Sequence, residues 1–147
     1  MNSKIEHFYV YKTLFLNLLD HSILYKLLFL KDKVLILNNK IKNKVVSFLG
    51  VTFKANTDDM RDSSSLKLIP FLSKKGAKIK YYDPTGSKKE FKKLKNVEFS
   101  NSIQESITGS DIVIIHTEWN DFKSINFKKY SKNKKLIIYD MRNIYSP

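Results

Sequence analysis

The run DIVIIHT, Asp111 to Thr117, is apolar at four consecutive positions with no polar alternation. A strand of that kind is buried on both faces, which happens in a parallel sheet covered by helices on either side. The chain past Lys44 keeps to this pattern. KVVSFLG, Lys44 to Gly50, is a short apolar run closed by glycine and reads as a second buried strand. AKIKYYDP, Ala77 to Pro84, reads as a third strand and KLIIYDMRN, Lys135 to Asn143, as a fourth, with a weaker one at Val97 to Phe99.

Helical patterns lie between these strands. SSSLKLIPFLSKKG, Ser63 to Gly76, opens on serine caps, carries Leu66, Ile69 and Leu72 at helical spacing, and ends on Lys-Lys-Gly. Pro70 removes one backbone donor inside it and predicts a kink. SIQESITGS, Ser102 to Ser110, reads as a shorter helix ending at Gly109. Strands alternating with helices imply right-handed crossovers and an open parallel sheet.

Residues 1–43 differ. Phe8 to Leu37 are dense in Leu, Ile, Phe and Tyr with no Gly or Pro, and predict an apolar helical segment, a remnant or connector. A membrane span needs about 20 residues nearly free of charge, and Lys12, Asp20, His21, Lys26 and Lys31 interrupt every such window. The expected division is therefore 1–43 as this segment and 44–147 as an α/β domain. With no signal-peptide pattern, the sequence reads as cytoplasmic.

The charge admits two readings. A net charge of +13 is the signature of a polyanion-binding module, nucleotide or nucleic acid. The basic residues are nearly all Lys and are spread along the chain, which argues against nucleic acid. Only Arg61 and Arg142 among the 27 basic residues are Arg. A guanidinium makes forked bonds to phosphate or carboxylate that Lys cannot. There is no Cys, so thiolate nucleophiles and Cys-ligated metals are excluded within these residues, and His7, His21 and His116 show no metal-ligand spacing.

In an open parallel sheet, ligands bind beyond the C-terminal ends of the strands. Four stretches follow those ends: GVTFKANTDDMRDSSS, DPTG, HTEWNDF and DMRNIYSP. They hold both Arg and the single Trp, so Lys54, Arg61 and Arg142 are expected to converge on an anion. The first stretch runs into a helix N-terminus, where free N–H groups favour an anion, yet it is neither a P-loop nor a G-x-G-x-x-G loop. The plainer expectation is that Asp58, Asp59 and Asp62 pair with Lys54 and Arg61 to order a loop. Trp119 with Phe122 reads as core or lid packing, Glu118 as a residue placed to orient a Lys or Arg, and Asp83 as the cap of a turn before Pro84.

GVTFKANTDDMRDSSSLKLIPFLSKKGAKIKYYDPTG, GSDIVIIHTEWNDFKSINF and LIIYDMRNIYSP, in order and at the expected spacing, resemble the C-terminal domain of the UDP-glucose/GDP-mannose dehydrogenase family from about Lys44 to Pro147. The resemblance implies a Rossmann-like open parallel sheet with flanking helices, preceded here by the N-terminal helical segment. It implies an enzyme that oxidises a sugar C6 alcohol twice, to the acid, with two NAD. By resemblance Phe53 and Lys54 contact the UDP-sugar, Arg142 recognises the UDP moiety and Arg61 reaches the NAD pyrophosphate. Substrate contact is thus expected at Phe53, Lys54 and Arg142, cofactor contact at Arg61, and UDP-glucose or UDP as the ligand.

The departures are specific. The family's NAD domain and the segment with its catalytic Cys are missing from these residues, and Ala55 and Ser64 stand where the bacterial pattern commonly has Pro. The chain is expected to be a fragment, or one piece of an enzyme completed by a separate chain that carries the NAD-binding and catalytic domains. Alone it is expected to be inactive and not to hold NAD.

Overall fold

A computed structural model describes residues 8–12, 41–131 and 135–145. Its elements are β1 (Phe8–Lys12), β2 (Val45–Leu49), α1 (Ser65–Lys74), β3 (Lys78–Tyr82), β4 (Val97–Phe99), α2 (Ile103–Ile107), β5 (Ile112–Ile115) and β6 (Leu136–Asp140). The six strands form one sheet in the order β1-β6-β5-β2-β3-β4, every pair parallel. The four strands read from the apolar runs and the weaker Val97–Phe99 strand are all present.

The sheet is covered on both faces, as the DIVIIHT run requires. Along β2, Val46 and Phe48 join one core with Leu68, Ile69 and Leu72 of α1, while Leu49 joins the other. Along β5, Ile112 and Ile114 take the first face, and Val113 and Ile115 the second with Phe122, Phe127 and Ile138. Each large side chain buried this way contributes about 1.5–3 kcal/mol. One polar contact crosses the second layer, where Ser47 Oγ on β2 meets Ser106 Oγ on α2 at 2.6 Å.

Both helices have their ends satisfied by side chains. Ser102 Oγ accepts the Glu105 N–H at 3.1 Å at the start of α2. Lys80 Nζ donates to the carbonyls of Glu105 and Thr108 at 2.7 and 2.6 Å at its end. The serine run before α1 behaves differently from a simple cap. Ser64 precedes the helix, but its hydroxyl makes no capping bond; Ser63 Oγ instead receives the Ser65 N–H at 3.3 Å. α1 continues through Pro70 to Lys74.

One expectation needs correction. Phe8–Lys12 lies within the segment read as helical, yet it is extended and pairs in parallel with β6, Phe8 opposite Leu136 and Lys12 opposite Asp140. FYVYK is rich in aromatic and β-branched residues, which suit a strand, and β6 would otherwise present an open edge. Residues 13–40, the rest of that expected segment, lie outside the described residues. Among the described residues, no helix is long and apolar enough to cross a membrane.

Candidate functional site: a rim of loops at the strand ends

Chain order and sheet order together place a topological switch between β2 and β5. The β2 crossover leads to β3 on one side, whereas β5 and β6 lie on the other. In open parallel sheets this is the crevice where ligands enter. Here side chains fill its floor. Gly50 has φ +76°, and a Cβ placed on it would lie 2.5 Å from Thr117 Cβ. Thr117 Oγ1 donates to the Thr52 carbonyl at 3.0 Å. Ser63 and Ser65 hydroxyls both donate to the Val51 carbonyl at 2.6 Å.

His116 completes the closure. Its Nε2 lies 2.7 Å from Ser64 Oγ and its Nδ1 3.1 Å from Thr117 Oγ1. The only hydroxyl hydrogen of Thr117 goes to Thr52, so Nδ1 carries a proton and donates to Thr117 Oγ1, and Nε2 shares a hydrogen bond with Ser64 Oγ. The three serines read as a helix start open to an anion therefore turn their hydroxyls toward Val51 and His116. These contacts close the floor of the crevice around Gly50 and Thr117.

The rim is built from the loops after β2, β5 and β6, and Arg142 ties them together. Its Nε donates to the His116 carbonyl at 2.8 Å and its Nη2 to the Phe53 carbonyl at 2.9 Å. Its backbone N–H is held by Asp140 Oδ1 at 3.1 Å, and Glu118 Oε2 lies 3.0 Å from Nε. One edge of the guanidinium fork is thereby committed to protein carbonyls. The other edge, Nη1 with the second Nη2 hydrogen, makes no hydrogen bond among the described residues.

Arg61 uses its fork in the same way. Nε and Nη2 grip the two oxygens of Asp59 at 3.0 and 2.8 Å, while the side chain is 89% exposed. This hydrogen bond, joined by the Arg61 charge and nearby Lys54, holds the Asp59 carboxyl down at about 2; the same bond raises the Arg61 pKa. The loop-ordering pair expected of Asp59 and Arg61 is thus formed. Asp59 also closes the loop by accepting the Phe53 N–H on its carbonyl at 2.9 Å. Phe53 and Lys54 stand exposed on it, and Phe53 is the exposed large hydrophobic side chain among the described residues.

Asp83 supports the loop from below. It is 1% exposed. Oδ2 accepts the N–H groups of Val51 and Thr52 at 2.8 and 3.3 Å, and Oδ1 accepts the N–H and hydroxyl of Thr85 at 3.0 and 2.5 Å. The buried Lys88 ammonium lies 3.8 Å from Oδ1. The turn-capping role read for Asp83 is present, but its longer-range hold on the β2 loop was missed. A buried acid directly after an apolar strand was the available signal. Lys88 also lines a cleft of about 560 Å³ with Asp58, Arg61, Leu66, Thr85 and Lys92.

The structure therefore brings Arg142 against the Phe53 carbonyl, with Lys54 next along the chain, and places Arg61 on the same loop, gripping Asp59 and lining the cleft. Trp119 and Phe122 pack in the second core as expected, and Glu118 does stand against an Arg of the site.

A parallel sheet in this order, with its loops gathered at the strand C-terminal ends, defines a Rossmann-like α/β domain. The chain belongs to the UDP-glucose/GDP-mannose dehydrogenase family: the model of that family's UDP binding domain matches residues 47–147. Relatives named UDP-glucose 6-dehydrogenase include that of Rhizobium meliloti, 35% identical over 71% of this chain and 24% of its own. That of Rickettsia bellii is 39% identical over 77% of this chain and 27% of its own. The chain thus spans about a quarter of the length of the curated relatives it matches. Among solved structures, a UDP-D-ManNAc dehydrogenase from Pyrococcus horikoshii superposes with TM-score 0.64 at 25% identity, covering 86% of this chain and 28% of that one. An NDP-N-acetyl-D-galactosaminuronic acid dehydrogenase from Methanosarcina mazei shares the fold at TM-score 0.65 and 22% identity, over 87% of this chain and 26% of that one.

Proposed function

We propose that the chain binds the diphosphate of UDP-glucose on the rim of Phe53, Lys54 and Arg142, as the substrate domain of an NAD-dependent UDP-glucose 6-dehydrogenase. The observation that carries this reading is the bracing of Arg142 by the Phe53 and His116 carbonyls. That bracing fixes the outer edge of its fork before any ligand arrives, and preorganised donors lose little freedom on binding. Lys54 adds a second positive charge on the tied loop, and the exposed Phe53 ring offers an apolar face to a base or sugar.

Arg61 is the cofactor contact in this reading. Its exposed guanidinium lines a cleft with Lys88, Lys89 and Lys92 and with the acids Asp58, Asp59 and Glu90, and in this reading it meets the NAD pyrophosphate there. Hydride acceptance is the chemistry NAD supplies when bound. The thiol that would attack the sugar aldehyde comes from outside these 147 residues, which contain no Cys. Another chain, or another part of a longer protein, supplies it together with the Gly-rich cofactor loop. We assign residues 44–147 as the folding unit and 1–43 as a connector whose Phe8–Lys12 strand docks on β6.

Calorimetry of the purified chain with UDP, UDP-glucose and UDP-glucuronate tests this function. Saturable one-to-one binding of all three supports it. Equal binding of unrelated polyanions such as RNA, abolished by moderate salt, contradicts it.

A further inference from the structure

We propose that Glu118 is the internal counterion of Arg142 and sets how much negative charge the rim accepts in a ligand. The inference rests on the reading that Arg142 faces an anion. The Arg142 Nε carries a single hydrogen, and that hydrogen points to the His116 carbonyl at 2.8 Å. Glu118 Oε2 nevertheless lies 3.0 Å from the same nitrogen. The oxygen is buried and receives no hydrogen bond from a described residue. It is held there by charge rather than by a directed bond. A buried acceptor without a donor costs free energy, and the Arg142 charge 3.0 Å away is what offsets that cost.

Its consequence is electrostatic. Without Glu118, an anion at the outer edge of the Arg142 fork meets a full positive charge. With Glu118 in place it meets a nearly neutral pair, and every further charge on the ligand is repelled by the carboxylate. Groups sharing one guanidinium lie on the order of 6 Å apart, where one charge pair in a wet, half-exposed setting changes affinity roughly threefold or more. The pair therefore holds binding weak and reversible, and favours a diphosphate esterified to a sugar over more highly charged free nucleotides.

The test is a calorimetric series with UDP-glucose, UDP and UTP, in order of rising charge, and with inorganic pyrophosphate. It is run on the wild-type chain, Glu118→Gln, Arg142→Gln and the double variant, with thermal melts to confirm folding. Glu118→Gln should bind every anion more tightly, with a gain that grows from UDP-glucose to UTP, roughly threefold or more per added charge. Arg142→Gln should bind every anion more weakly than wild type, and the double variant more tightly than Arg142→Gln, because the carboxylate left without its counterion repels the ligand directly. Wild-type binding of UDP with no gain, or a loss, in Glu118→Gln overturns the counterion and leaves the UDP site standing. A graded gain for pyrophosphate without nucleoside preference supports the counterion and overturns the UDP site. No binding of any anion by any variant overturns both.

Discussion

The Asp83 carboxylate at the end of β3 receives the Val51 N–H at 2.8 Å, thirty-two residues away at the end of β2. Both of its oxygens act as acceptors, toward Val51 and Thr52 on one side and Thr85 on the other. An Asn here presents an amide N–H to one set of donors whichever way it turns. Asp83→Asn should therefore destabilise the domain by about 2–4 kcal/mol, as expected for a buried network left unsatisfied. Urea denaturation measures this directly, and a loss below about 0.5 kcal/mol would mean that Asp83 does not hold the β2 loop.

Gly50 and Gly109 make a matched pair. Both have positive φ, +76° and +77°, but a Cβ on Gly50 meets Thr117 at 2.5 Å while one on Gly109 meets nothing within 4 Å. Gly109→Ala should cost about 1 kcal/mol, the backbone strain alone. Gly50→Ala adds overpacking against Thr117 and should cost about 3 kcal/mol. Equal melting temperatures for the two variants would contradict the closed crevice.

Asp59 gives a pH signature. Its carboxyl sits at about 2, against an ordinary 3.8, because Arg61 donates to it. A lowered folded pKa contributes stability that is fully present above the ordinary value and is lost as pH falls toward about 2. Carbon-detected NMR titration should find Asp59 titrating near 2 in the wild type and at higher pH in Arg61→Gln, where the residue-61 backbone N–H still donates to it. An ordinary value in both would show that the pair does not form in solution.

The sheet was legible because burial on two faces leaves an uninterrupted apolar run, and DIVIIHT and KVVSFLG both carry one. The rim was legible because Arg stands out where Lys is the default base. The Phe8–Lys12 strand was not. An edge strand acquires its partner from residues more than a hundred positions away, here β6, and the dense apolar run that follows it drew the whole segment into a helical reading. Nor did the serine run disclose its role. Ser63, Ser64 and Ser65 suit a helix cap locally, and only the approach of Val51 and His116 turns their hydroxyls elsewhere. Glu118 was read by charge alone, and geometry supplied its partner.

The purified chain should not reduce NAD with UDP-glucose. The first hydride transfer needs an oriented nicotinamide and these residues carry no G-x-G-x-x-G loop, while oxidation past the aldehyde needs a thiolate and none of the 147 residues is Cys. Absorbance at the NADH band should stay at the level of a boiled control. A rise above that control would mean that the chain carries chemistry which its residues do not account for.

The central claim is that Arg142 and the loop it braces form the nucleotide site. UDP titration of Arg142→Lys beside Lys92→Ala, at physiological salt, tests it most directly. Lysine keeps the charge but cannot bond the Phe53 and His116 carbonyls and offer a second fork at once. Arg142→Lys should lose about 1–2 kcal/mol of UDP affinity, roughly five- to thirtyfold. Lys92 is exposed and lines the cleft beside Arg61, so Lys92→Ala should change UDP affinity by less than about twofold. Equal losses in the two variants would make UDP binding diffuse electrostatics and contradict the assignment.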